Sequence, residues 1–291
     1  MDRGLLYILG FFSFWLGACI ASFLNVVIWR YPRGESIVSP PSHCPKCNAA
    51  IKWYQNIPIV SWLALRGKCA NCKAPISPRY ILIETLGGIL FLAVFLHYFG
   101  FTGVPIDDLA TWLFVLVCWI WISLMITGSM IDFDHKLLPD FVTVGGMVLG
   151  LVMSGFFMFV YWPLIVRNSE FLWQDFLLQP VLGLVFGFGL LWLIRWLGSI
   201  VFKREAMGLG DVFLMGAVGA LFGPVAVLVT LILSSVFGSV VGLSMVALSK
   251  TKFGKFVEIP YGPYICLGCL CWMFYGPELV DWYLKMLAPN V

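Results

Sequence analysis

Charged side chains are scarce in this sequence: only 11% of its 291 residues are Asp, Glu, Lys or Arg, whereas 61% are hydrophobic. Soluble globular domains contain about 25% charged residues. The composition therefore excludes an ordinary water-soluble domain, because so much apolar surface has to face something other than water. The net charge is only +3, and we expect no nucleic-acid partner.

The apolar runs are also not the stretches of roughly ten alternating residues that build a transmembrane barrel. The first run has no small-residue cleavage site after a short apolar core, so we expect it to be retained and not removed as a signal peptide. The runs have the length of membrane helices. The sequence thus predicts an all-α polytopic membrane protein with eight spans, at about 5–29, 81–99, 111–131, 141–162, 179–200, 207–222, 225–248 and 260–284.

The break between the sixth and seventh spans falls at Gly223-Pro224, where a tight turn would give two antiparallel helices.

Lys and Arg are distributed unevenly between the loops on the two sides of these spans. One side holds Arg30, Arg33, Lys46, Lys52, Arg66, Lys68, Lys73, Arg79, Lys136, Lys203, Arg204, Lys250, Lys252 and Lys255; the other holds Arg3, Arg167 and Lys285. Because basic loops remain in the cytoplasm, the prediction places the first side there and both termini outside.

The longest loop, about residues 30–80, contains two C-x-x-C motifs separated by 21 residues. Each motif presents two thiolates from one tight turn, and four thiolates suit a tetrahedral, structural zinc ion. The sequence predicts a zinc-ribbon-like loop with these ligands: Cys44, Cys47, Cys69 and Cys72. Disulfides or free thiols are the alternatives, although disulfides are rare in the reducing compartment predicted for this loop.

The remaining cysteines lie in apolar spans. Cys266, Cys269 and Cys271 form a cluster in the last span, with no His or carboxylate beside them in the sequence. We expect them to pack in the core as small apolar residues.

Two acids lie at the ends of predicted spans on the same side. Asp132 closes the third span, and Asp211 opens the sixth. Two membrane crossings separate them, so the topology permits contact. Two neighbouring carboxylates cannot both ionise cheaply. Such a pair can share a proton, one member activating a water while the other protonates a carbonyl oxygen, as in aspartic proteases.

Each acid also has a simpler interpretation. Asp211 alone would suit the N-terminus of a helix, where its charge favours the helix dipole. Asp134 and Asp140 fit a polar hairpin in which Asp140 caps a helix. Two rival functions remain. One is a transporter that relays protons through Asp132 and Asp211; the other is a non-catalytic assembly protein that docks through the cysteine loop.

Several segments together carry a resemblance to a known family, over about residues 18–270. They are SFLNVVIWRYP (22–32), CPKC (44–47), NIPIVSWLALRGKC (56–69), CANC (69–72), APISPRYILIE (74–84), Asp132 with Pro139-Asp140, Gly208-Leu209-Gly210-Asp211 and EIPYGPYI (258–265). The chain resembles a bacterial type IV prepilin peptidase of the GxGD class of membrane aspartic proteases. It departs from the expected pattern at Tyr261, where we expect Phe.

The resemblance implies an inner-membrane enzyme that cuts the basic leader from type IV prepilins and from pseudopilins of type II secretion. The cut follows a glycine at the cytoplasmic face of the lipid bilayer. The new N-terminal residue is then methylated with S-adenosylmethionine. By position, Asp132 and Asp211 become the catalytic pair of the GxGD motif that contains Gly208 and Gly210, and the four cysteines become the zinc ligands.

The resemblance also implies two parts: residues 1–110, whose cysteine loop is associated with methylation, and residues 111–291, a helical peptidase bundle. No glycine-rich strand–turn–helix pattern marks a site for the methyl donor. Glu84, at the start of the second span, is a candidate for that site, but it can equally pair with Arg79.

Overall fold

The computed structural model describes residues 3–101, 104–167, 173–205, 207–248 and 259–287. Helices dominate this part of the chain, and its extended pairing is limited to two isolated bridges. Lys250, Lys252, Lys255 and Glu258 lie outside the described residues. The α-helices are α1 (Arg3–Arg30), α2 (Val60–Ala64), α3 (Arg79–Phe95), α4 (Leu109–His135), α5 (Asp140–Arg167), α6 (Trp173–Phe202), α7 (Leu209–Leu248) and α8 (Gly262–Leu287).

Six helices among these residues are long and apolar enough to cross a membrane. They are Gly4–Arg33, Arg79–Phe101, Leu109–His135, Asp140–Phe157, Leu178–Phe202 and Leu209–Met245. The prediction of an all-α polytopic membrane protein is confirmed. The eighth predicted span corresponds to α8, which is not among the six because Pro277, Glu278 and Asp281 make its second half more polar.

The last of the six candidate spans contains two of the predicted spans. Gly223 interrupts α7 with φ 83° and ψ 178°, directly before Pro224. A Cβ on Gly187 of α6 would lie 2.5 Å from the Met215 carbonyl oxygen and 3.1 Å from Val227 Cγ2. A continuous helix would separate those two residues by about 18 Å. The chain therefore reverses at Gly223, as the glycine-proline pair predicts, and gives two segments, 209–222 and 224–248.

The chain divides into two compact units, Met1–Thr127 and Gly128–Val291, with the division inside α4. In the first unit α1 and α3 meet closely: a Cβ on Gly17 would lie 2.5 Å from the Gly87 carbonyl oxygen. Trp119 of α4 stacks on Phe91 with 5.1 Å between ring centroids, and its indole N–H donates to the Phe91 carbonyl at 3.0 Å. These contacts fix the two helices, α1 and α3, that flank the cysteine loop.

The second unit is centred on α7. Small residues allow its backbone to approach its neighbours, as is common in membrane helix packing. A Cβ on Gly219 would lie 1.9 Å from the Gly183 carbonyl oxygen of α6, and one on Gly268 of α8 would lie 2.8 Å from the Thr230 carbonyl oxygen. The first segment of α7, which carries Gly210 and Asp211 of the GxGD motif, thus packs closely on α6.

Candidate active site and metal centre

The structure brings Asp132 and Asp211 together, and we call them the aspartate pair. Asp132 lies in the last turn of α4, and Asp211 lies in the first turn of α7. Both are buried, with 6% and 8% of their surface exposed. The two carboxylates are close enough to interact electrostatically. Buried acids at the ends of apolar helices are costly, so two of them placed near each other point to a functional site.

Backbone N–H groups lie beside both carboxylates. Asp132 Oδ2 accepts a hydrogen bond from the backbone N–H of Gly262 at 3.0 Å. The Gly208 N–H is within hydrogen-bonding reach of the Asp211 carboxylate. Asp211 Oδ1 is buried and accepts no hydrogen bond from any residue that the structure describes. A buried oxygen without a donor is expensive, and a water or a substrate group could satisfy it here.

Leu138 packs against the backbone next to both acids. A Cβ on Gly210 would lie 2.7 Å from Leu138 Cβ, and one on Gly262 would lie 3.3 Å from Leu138 Cδ1 and 2.7 Å from Asp132 Oδ2. A Cβ on Gly208, by contrast, would make only an ordinary contact of 3.5 Å with Asp211 Oδ2. Of the two glycines in the GxGD motif, Gly210 is therefore the one that close packing requires.

The turn before α7 is fixed by a side chain that sequence reasoning did not assign to the site. Arg195 of α6 donates from Nε to the Met207 carbonyl at 2.9 Å and forms an ion pair with Glu205 at 3.2 Å. Met207 directly precedes the GxGD motif. A lone arginine in an otherwise apolar span is itself a signal for a specific partner.

Two other predictions concern residues near the pair. Asp134 and Asp140 are exposed, as the prediction of a polar hairpin requires, whereas Asp132 is buried. Cys266 is buried as expected, but the absence of neighbouring acids in the sequence was misleading. Its thiol lies near the carboxylates of Asp132 and Asp211, because α8 packs beside the pair.

The two C-x-x-C motifs form knuckles with the same backbone pattern. The Cys44 N–H donates to the Ala49 carbonyl at 3.0 Å, and the Cys69 N–H donates to the Ala74 carbonyl at 2.8 Å. An isolated antiparallel bridge closes each knuckle, His43 to Ala50 and Lys68 to Pro75. Residues one position after the second cysteines, Asn48 and Lys73, both have a positive φ, of 53° and 58°.

The knuckles bring the four thiols of Cys44, Cys47, Cys69 and Cys72 within 4.8 Å of one another, and we call this cluster the four-thiol centre. The Cys44 and Cys72 sulfurs are 3.8 Å apart. A tetrahedral zinc ion with Zn–S bonds of about 2.3 Å requires sulfurs about 3.8 Å apart. The four ligands thus fit a structural zinc ion that leaves no open position.

The protonation of these thiols supports the same interpretation. The Ala49 N–H and the Asn71 side chain lower the pKa of Cys47 to about 6. The N–H groups of Cys72 and Asn71 lower the pKa of Cys69. For Cys72 the Ala74 N–H acts in the same direction, but desolvation and the three neighbouring thiols outweigh it and raise the pKa to about 11. Four thiols in one place cannot all ionise without a cation, and a divalent metal would remove that conflict.

Glu84 connects the cysteine loop to α3. Its Oε2 accepts a hydrogen bond from the Ile59 N–H at 2.7 Å, and the side chain is only 8% exposed. Ile59 has the unfavourable φ of 63°, so this contact holds a strained residue at the start of α2. Arg30 similarly donates to the carbonyls of Ser36 and Pro40, at 2.9 and 2.8 Å.

Comparisons with known proteins identify the family of this chain. Residues 119–243 match the model of the type IV leader peptidase family, and residues 15–98 match the model of the bacterial peptidase A24 N-terminal domain. The first stretch contains Asp132 and Asp211, and the second contains the four-thiol centre. No solved structure matches this chain.

Curated relatives extend the match over most of the chain. A prepilin leader peptidase/N-methyltransferase of Myxococcus xanthus is 38% identical over 282 residues, which cover 96% of this chain and 76% of the relative. The enzyme of the same name from Stutzerimonas stutzeri is 34% identical, with 93% and 92% covered. A type 4 prepilin-like proteins leader peptide-processing enzyme of Escherichia coli O78:H11 is 35% identical, with 87% and 88% covered. This chain therefore belongs to the type IV leader peptidase family.

Proposed function

We propose that the aspartate pair is the catalytic site of a membrane endopeptidase that removes the leader of type IV prepilins by cutting after a glycine. Family membership makes the chain a leader peptidase and N-methyltransferase. The observation that supports the residue assignment is the burial of Asp132 and Asp211 near each other, with Asp211 Oδ1 lacking a donor among the described residues.

The pair can perform peptide hydrolysis with its own oxygens. One carboxylate takes a proton from a water, and the water oxygen attacks the scissile carbonyl carbon. The other member, protonated beforehand, donates its proton to the carbonyl oxygen. Transfer of a proton to the leaving nitrogen then breaks the C–N bond. The Gly262 N–H contributes by fixing the orientation of the Asp132 carboxylate, since it holds one oxygen in place.

The position of the pair suits a substrate that is itself a membrane helix. Both acids lie at the ends of candidate spans, Leu109–His135 and Leu209–Met245. The basic loops support an orientation with these ends, and the four-thiol centre, on the cytoplasmic side of the bacterial inner membrane. A scissile bond in a helix must unwind before attack, and a glycine at the cut makes that cheap. We include pseudopilins of type II secretion among the proposed substrates.

The second activity, methylation of the new N-terminal residue, is assigned to the part formed by residues 1–110, and hydrolysis to residues 111–291. The four-thiol centre would hold a structural zinc ion that stabilises the loop of the first part. Such a loop is too small for a sizeable core of its own, so a metal is an effective staple. S-adenosylmethionine would supply the methyl group.

The aspartate assignment is tested by replacing Asp132 or Asp211 with Asn in the full chain, purified in detergent. Either change should lower cleavage of a prepilin by more than about 1,000-fold, since an amide cannot exchange the proton. Asp140→Asn is the matched control because Asp140 is exposed and begins α5; it should cleave normally.

Transfer of a labelled methyl group to a pre-cleaved pilin peptide should persist in both aspartate variants. Full cleavage by Asp132→Asn or Asp211→Asn would contradict the catalytic assignment. Loss of methyl transfer in these variants would instead show that the two activities share a site.

A further inference from the structure

Tyr261, the residue before α8, forms a hydrogen bond that has no part in the hydrolysis proposed for the aspartate pair. Its hydroxyl lies 2.6 Å from Ser234 Oγ and 3.4 Å from Ser235 Oγ, both in the second segment of α7. Ser234 is completely buried. At 2.6 Å between two oxygens, the contact with Ser234 is a short and well-formed hydrogen bond.

The bond to Ser234 matters because the backbone of Tyr261 is joined to a group that contacts the aspartate pair. The N–H that Gly262 donates to Asp132 Oδ2 at 3.0 Å belongs to the peptide group between Tyr261 and Gly262. The Tyr261 carbonyl also accepts the N–H groups of Tyr264 and Ile265, at 3.0 and 3.2 Å, which starts α8. Any rotation of Tyr261 therefore reorients the donor that holds the Asp132 carboxylate.

The packing of α8 on α7 does not depend on the hydroxyl. Gly268 lies directly against the Thr230 carbonyl, where a Cβ would come within 2.8 Å, and Gly238 lies against the Tyr264 ring, where a Cβ would come within 3.5 Å. These contacts remain when an oxygen atom is removed from Tyr261. The hydroxyl thus acts locally. It affects the turn that precedes α8 and the Gly262 N–H, which donates to Asp132.

We propose that Tyr261 is a positioning residue for the peptidase reaction: its bond to Ser234 fixes the Tyr261–Gly262 peptide group, which in turn fixes the Asp132 carboxylate. This inference rests on the proposed function of the aspartate pair. It predicts that the hydroxyl affects the rate of bond cleavage and not the binding of the prepilin, because neither Tyr261 nor Ser234 has to touch the substrate.

The test compares Tyr261→Phe, Ser234→Ala and the double variant with the unchanged protein in detergent, using a prepilin as substrate. Each single variant should lower kcat about fivefold at unchanged KM, the loss of one hydrogen bond. The double variant should be no slower than the slower single variant, since both changes remove the same bond. Tyr264→Phe is the control: within the described part of the chain, no hydrogen bond of the Tyr264 hydroxyl is seen.

A second measurement does not require activity. Hydrogen–deuterium exchange of the peptide that contains the Gly262 amide should be faster in Tyr261→Phe and unchanged in Tyr264→Phe. Unchanged kcat and exchange in Tyr261→Phe would overturn the inference, as would an equal loss of kcat in Tyr264→Phe. Normal cleavage by Asp132→Asn would overturn the proposed function instead, so the two failures are distinguishable.

Discussion

The four-thiol centre and the aspartate pair are assembled over very different lengths of chain. All four thiols lie between residues 44 and 72, on two knuckles with the same backbone pattern. The aspartate pair and its Gly262 donor come from three helices, and the bond from Gly262 to Asp132 joins residues 130 positions apart. The first site is therefore a local structure that a metal can complete, whereas the second exists only when the helical bundle is folded.

Because the two sites are built differently, they should tolerate different kinds of substitution. The four-thiol centre depends on its ligands, because the loop around it has little core. The aspartate pair depends on close packing of the Gly210 backbone against the Leu138 side chain, and of the Gly262 backbone against the side chains of Leu138 and Asp132. Substitutions should thus separate the two sites cleanly.

Among changes that leave both acids of the aspartate pair in place, loss of the metal should have the greatest effect. Replacing Cys44 and Cys72 with Ser removes two of four ligands, and the zinc content per chain should fall from about one to near zero. Methyl transfer should be lost with the loop, while prepilin cleavage should stay within about threefold. Metal analysis of the purified protein, together with both activity assays, checks this outcome.

The matched control for that experiment replaces Cys19 and Cys271 with Ser, because both lie outside the cluster. It should keep the metal and both activities. Retention of zinc in the Cys44→Ser, Cys72→Ser variant would refute the four-thiol centre as a metal site. Loss of cleavage there would show that the two sites are not separable.

The contrast also explains what the sequence could and could not predict. The ligands of the four-thiol centre follow from spacing, since each knuckle is formed by neighbouring residues. The helices follow from the length of the apolar runs, and the reversal at Gly223 follows from its Gly-Pro pair. The Gly262 donor and the position of Cys266 beside the acids depend on how α8 packs, and no local pattern encodes that.

The second largest effect should come from Gly262→Ala. The added methyl group would lie 2.7 Å from Asp132 Oδ2, so either the carboxylate or the start of α8 must move. A displacement of about 1 Å in a catalytic group costs about 100-fold in rate. We expect cleavage to fall by about that factor with zinc content and methyl transfer unchanged. Gly145→Ala is the control, because a Cβ on Gly145 of α5 would meet no other part of the described chain within 4 Å. Cleavage at the normal rate by Gly262→Ala would mean that the orientation of Asp132 is not limiting.

A smaller effect is expected at Arg195. Arg195→Gln removes the Nε donor to the Met207 carbonyl and the ion pair with Glu205. The ion pair itself contributes little, since Glu205 is largely exposed; the hydrogen bond next to the GxGD motif is the part that matters. Cleavage should fall about fivefold. Glu205→Gln removes only the ion pair and should leave the rate unchanged. Equal losses in both variants would assign the effect to charge and not to the turn.

The smallest effect distinguishes two roles of Glu84. In the structure it accepts the Ile59 N–H, a task that the amide oxygen of Gln can also perform. If that contact is its whole role, Glu84→Gln should keep methyl transfer within about twofold, because a hydrogen bond to a neutral acceptor is only modestly weaker. Glu84→Ala should lower it further, since Ile59 loses its partner. A Glu84→Gln variant that keeps its zinc but has lost methyl transfer would instead require the negative charge itself. Glu84 would then belong to the methyl-donor site, and the first part of the chain would carry, like the second, a buried carboxylate used for chemistry.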